Sequence, residues 1–229
     1  MSLIATLAAC LALTADPAVN CDEVKTEYVT RLNALEISAE DRDAIARVAY
    51  AEASNQGDDG LAGVVYTIIN RTINGNFGQD ISSVLNARNQ FEPVTRAGGD
   101  WKNLPVIPKE KQARVDTIIS LALNGHLPDL TNGALFFQNP EIVKQREIEG
   151  KVSAGLTNFG GSNPVAQIKD HTFYSEIKTA TQNKNPVKPQ ISLSNKNSRL
   201  AEQRRRHLAG FKSEWDEPGS VWVDDSSTL

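Results

Sequence analysis

Residues Ser38 to Thr72 carry two helical periodicities in succession, separated only by Ser54-Asn55-Gln56-Gly57, and this spacing predicts a tightly turned helical hairpin. In the second run Leu61, Val64, Val65, Ile68 and Ile69 recur at i, i+3, i+4, i+7 and i+8, and Asn74-Gly75 is a stop signal. Asp58 or Asp59 stands where a cap could start it. The first run opens at Ser38, whose spacing to Asp41 is that of a capping box. Ile45, Val48 and Ala49 precede Glu52 by seven, four and three positions, so one helical stripe holds all four. A carboxylate is thereby aimed at apolar neighbours. Desolvation and the carbonyl end of the helix both disfavour its charged form, so its pKa is expected to be raised. A general acid needs that environment. A slight rotation of the helix end, turning Glu52 into water, fits the same spacing.

On either side of the hairpin the patterns are shorter. Ser2 to Ala15 is rich in Ala and Leu, and Leu3, Ile4, Leu7 and Leu11 share a face, which predicts a short packing helix ended by Asp16-Pro17. The run also resembles the apolar part of a secretory signal, although no Lys or Arg precedes it. It is too short to span a bilayer. Val24, Tyr28, Leu32 and Leu35 suggest a second amphipathic piece. Asp80 can cap a short helix containing Ile81, Val84 and Leu85, and Glu110 to Asn124 reads as a further helix with Val115, Ile118, Ile119 and Ala122 inward. Between them Asn89 to Pro108 has no period, and long loops of this kind are often functional. Gln90, Phe91 and Trp101 there offer a hydrogen-bonding group and flat apolar faces suited to sugar rings; each also suits packing.

Past Gly133 the period changes. Ala134 to Asn139 is an aromatic run that reads as a strand stopped by Pro140, and His171 to Ser175 reads as its partner. A charged segment, Glu141 to Lys151, and a Gly-rich loop, Gly155 to Pro164, lie between. The expected class is α+β, a mostly helical lobe beside a small antiparallel sheet. A net charge of -4 gives no general bias toward nucleic acid, and Arg204-Arg205-Arg206 lacks the interleaved aromatics of a strand-binding surface. Cys10 and Cys21 have neither metal nor redox spacing, and either one disulfide or two free thiols fits. His126, His171 and His207 are far apart, so neither a zinc site nor another cofactor is expected. From Thr179 the composition shifts to Asn, Lys, Pro, Ser and Gln, giving three segments: an N-terminal helical arm, 1–37; a central domain, 38–178; and a tail, 179–229, expected to meet a protein partner.

Ala49-Tyr50-Ala51-Glu52-Ala53, Asn70-Arg71, Gln90-Phe91, Leu121 to Gly125, Pro128 to Pro140 and His171-Thr172-Phe173-Tyr174 follow one another along the central segment. In that order and spacing the chain resembles the cell wall hydrolases typified by spore-cortex-lytic enzymes (SleB-like). The resemblance implies a lysozyme-like fold with a cleft, peptidoglycan as substrate and Glu52 as the catalytic acid. Candidate substrate contacts are Gln90, Phe91, Trp101, Phe137, Gln138, His171 and Tyr174, although His171 also suits a satisfied strand histidine. The chain departs from the family at Gln56, where a second glutamate is common, and at Gln138, where a histidine is common. Asp58 and Asp59 remain as possible second carboxylates. With one glutamate kept, the resemblance favours a lytic transglycosylase that cleaves between MurNAc and GlcNAc and leaves a 1,6-anhydro sugar. A hydrolytic muramidase and a non-catalytic peptidoglycan-docking component are the alternatives. Action at the cell wall is expected, by export or aboard a phage virion whose tail or baseplate proteins would hold residues 1–37 and 179–229.

Overall fold

A computed structural model describes residues 2–178; the tail with its expected partner contacts and its arginine run lies outside the described residues. Helix α1 (Leu3–Leu11) starts where Ser2 Oγ accepts the Ala5 N–H, and it buries Ile4 and Leu7 while Leu11 stays exposed. A Cys10–Cys21 disulfide closes the connection to α2 (Cys21–Asn33). Tyr28 and Leu32 of α2 are buried, and the Tyr28 hydroxyl donates 2.9 Å to Asn70 Oδ1. Rather than standing off as an arm, both helices add side chains to the same apolar core as the central segment. Closing a short loop of the unfolded chain, the disulfide is expected to contribute about 2–3 kcal/mol. The double variant Cys10→Ser/Cys21→Ser should therefore unfold at lower denaturant than wild type without reductant, and coincident transitions would count against this.

The hairpin forms as expected. Helix α3 (Ala39–Ala53) begins with a full capping box, the Asp41 N–H on Ser38 Oγ and the Ser38 N–H on Asp41 Oδ2. Helix α4 (Gly57–Asn74) ends at Gly75, whose φ of 76° is the left-handed conformation that glycine takes without strain. Asp58 and Asp59 do not cap α4: the cap position is Gln56, with no side-chain bond, and the aspartates lie in the first turn. Every residue of α4 from Gly60 to Arg71 is buried, because α1, α2, α3, α5 (Ile81–Leu85) and α7 (Lys109–Leu123) pack around it. Three elements lie within segments that show no period. The irregular stretch holds α6 (Glu92–Arg96) and a 3₁₀ turn at Trp101–Asn103, both too short to register a period. The charged segment is α8 (Pro140–Ile148), which has no buried residue and so no apolar stripe to read.

Strands β1 (Phe136–Gln138), β2 (Ala166–Ile168) and β3 (His171–Tyr174) form an antiparallel sheet in the order β1-β3-β2. Phe137 pairs with Phe173 and Phe173 with Ala166, so these side chains share one face. That face lies on α4 at Gly63, where a Cβ would come 2.7 Å from Phe173 Cζ. On the other face Phe136 pairs with Tyr174, and Phe159 covers both rings at 6.1 and 5.1 Å. All four residues of β3 are buried, since both of its faces are covered. The class is α+β, consistent with a lysozyme-like fold.

Candidate active site

Glu52 lies in the last turn of α3, beyond Ile45, Val48 and Ala49, all fully buried, and is itself partly exposed. Desolvation pushes its carboxyl up to about 7, and the negative charge of Glu92 adds to the shift. A hydrogen bond from the Glu92 backbone N–H and the positive charge of Arg71 pull the other way without cancelling it. The group is therefore about half protonated at neutral pH and mostly protonated below it.

Arg71, in the last turn of α4, is only 2% exposed. Its Nε donates 2.6 Å to the Leu135 carbonyl, and its guanidinium packs against the rings of Phe91, Phe77 and Phe136 at 4.8, 5.0 and 5.8 Å. Burial lowers its pKa to about 9 against the opposing pull of Glu52. One nitrogen, Nη1, is buried without a hydrogen-bond partner. Glu92 opens α6 and accepts from Arg96 at 2.7 Å and from Arg146 of α8 at 2.8 Å. Desolvation opposes its ionisation, but the hydrogen bonds and charges of Arg146 and Arg96 outweigh this and hold its carboxyl below the usual range.

From Arg71 an aromatic wall continues through Phe91 to Phe137, ring centroids 6.4 Å apart, and on to His171 at 5.2 Å. Burial lowers the His171 pKa despite the charge of Asp170, and its Nδ1 is buried without a partner. Gln56 fixes the turn before His171: its Nε2 donates 2.9 Å to Asp170 Oδ2, and its Oε1 accepts the Asp170 N–H at 3.1 Å. An amide serves both partners here, whereas a glutamate would face the Asp170 carboxylate with a like charge. The departure at Gln56 thus has a local structural reason.

The structure separates the remaining residues singled out in the sequence. Gln90 is partly exposed in the turn before α6, and Phe91 is fully buried against Arg71. Trp101, 3% exposed, donates its indole N–H to Ser82 Oγ at 3.1 Å and lies under Arg47, so it has no free face for a sugar. Gln138 accepts the Asn158 N–H at 2.9 Å, and the Tyr174 hydroxyl donates 2.9 Å to Asn158 Oδ1. These two side chains hold the Gly-rich loop to the sheet. Asp58 is exposed and paired with Arg114 of α7, whose hydrogen bond and charge lower its pKa; Asp59 is exposed. The carboxylate whose charge acts on Glu52 is Glu92. Among the described residues no group of His, Cys, Asp and Glu gathers that could hold a metal ion.

Arg71 and Glu92 stand within the Asn70-Arg71 and Gln90-Phe91-Glu92 stretches, yet the sequence reading gives neither a role. For Arg71 a signal existed. It lies three positions after Ile68 and seven after Val64, a charge on a buried stripe, as at Glu52. For Glu92 none did, because nothing in the sequence brings α6 against α3.

The Cell Wall Hydrolase family model matches residues 55–174, a stretch that begins just past Glu52 and takes in Arg71, Glu92 and all three strands. No curated protein and no solved structure matches the chain. With that match over more than half of its length, the chain belongs to the cell wall hydrolase family and acts on peptidoglycan at the cell wall.

Proposed function

We propose that the protein is a lytic transglycosylase that cleaves the glycan between MurNAc and GlcNAc with Glu52 as its single acid and base. The carrying observation is that Glu52 ends a buried helical stripe, that burial pushes its carboxyl up to about 7, and that its charge acts on Arg71, against which Phe91 of the aromatic wall packs. Protonated Glu52 donates to the glycosidic oxygen as the bond to C1 breaks. The carboxylate left behind then takes the proton of the MurNAc 6-hydroxyl as that oxygen closes on C1, which returns Glu52 to its starting state. A hydrolase usually needs a second free carboxylate as nucleophile or base. Glu92 is near but engaged by two arginines, which makes it a poor nucleophile. Phe137, Gln90 and His171 are the proposed sugar contacts. The Cys10–Cys21 disulfide suits an oxidising setting, which both export and carriage on a virion supply.

Digestion of purified sacculi followed by mass spectrometry tests this reading. The expected product carries 1,6-anhydroMurNAc; reducing-end MurNAc alone would make the protein a muramidase, and binding without release would make it a docking component. Because the acid must be protonated to act, activity should fall as pH rises through about 7, the value of Glu52. A rate that stays level from pH 6 to 9 would argue against Glu52 as the acid.

A further inference from the structure

Arg71 is unusual among the buried groups because one of its buried guanidinium nitrogens, Nη1, has no hydrogen-bond partner. Nε is spent on the Leu135 carbonyl, and three aromatic rings surround the guanidinium. Those contacts fix its plane but leave Nη1 unpartnered, and an unsatisfied donor of a buried cation is costly to keep. Its charge and that of Glu52 act on each other, from the last turns of two adjacent helices. While Glu52 holds its proton, Arg71 has no anion to meet there. Once the proton leaves, a carboxylate appears in that same low-dielectric place.

Resting on the transglycosylase reading, we propose that Arg71 is a positioning residue whose free Nη1 receives the Glu52 carboxylate formed on bond cleavage and releases it when the proton returns. Its aromatic cage prevents the guanidinium from turning elsewhere, so the interaction is made when the charge develops and is weak before. Among the described residues, the other cations on elements packed against α3 are engaged or exposed. Arg114 and Lys111 of α7 face Asp58 and Tyr50, Lys109 is exposed at the first residue of that helix, Lys102 beside Trp101 faces Glu40, α5 has no ionisable side chain, and Arg96 of α6 is held by Glu92. Glu92 supplies the one opposing negative charge.

The test is the pH profile of sacculus digestion by full-length Arg71→Gln. Removing the cation should slow turnover and move the alkaline limb upward by about one pH unit, since an adjacent opposite charge lowers a carboxyl pKa by roughly that much or more. A residue that only packs would reduce the amplitude and leave the limb in place. If Glu52→Gln is inactive and the Arg71→Gln limb does not move, the inference fails while the reading of Glu52 stands. If Glu52→Gln still releases anhydro product, both fall. Should Arg71→Gln not fold, the wild-type Arg71 side-chain ¹⁵N resonances decide. They should shift with pH along the Glu52 titration and lose that inflection in Glu52→Gln; no inflection in wild type overturns the proposal.

Discussion

Glu52→Gln should reduce release of anhydro products from sacculi by about 100-fold to 10,000-fold, the usual range for loss of a positioned acid and base. The amide has nearly the same shape, so the loss reflects proton transfer rather than packing. A second measurement separates this from damage to the fold. The carboxyl has an ordinary value of 4.5, and burial raises it to about 7 in the folded chain. The folded state therefore binds this proton more tightly than the unfolded state, and stability falls as pH rises between those two values. Glutamine is free of that penalty. The variant should match wild type near pH 4 and exceed it at pH 8 by about 2–3 kcal/mol, after a discount for the partial exposure of Glu52. A variant that is both inactive and less stable at pH 8 would mean that Glu52 has a structural role.

Phe173→Ala should cost about 3–5 kcal/mol, because a fully buried ring is removed and the surrounding helix cannot collapse into the gap. The ring sits on Gly63, packs on Phe137 at 5.7 Å, and so joins the sheet to α4. A shift in the denaturation midpoint with unchanged slope is the expected signature. A loss below about 1 kcal/mol would show that the sheet is anchored elsewhere.

The helical body was legible in the sequence because its helices have one wet side. Val115, Ile118, Ile119 and Ala122 are all buried, at the spacing that predicted them. Glu52 was legible for the same reason, as a charge on a stripe that was otherwise apolar. Short or uniformly exposed elements were not: α6 spans little more than a turn, and α8 buries nothing. β2 has three residues, and its pairing with β3 depends on a turn whose hold on Gln56 lies far along the chain. The fate of Trp101 followed from a contact that no local pattern encodes, since Ser82 supplies the acceptor for its indole. Residues whose partners are distant in sequence, Trp101, Gln138 and Tyr174 among them, are thus the ones whose surroundings no local pattern gives.

The docking of α1 affects how the chain folds as well as how stable it is. A Cβ on Gly133 would lie 3.6 Å from Ala8 Cβ and from the Ile4 carbonyl, so the first helix rests on a loop from the middle of the chain. Helix α1 packs on its neighbour α2 and also on α4 and the Gly133 loop, which lie much further along the chain. Such non-local closure slows folding through the entropy of the intervening chain.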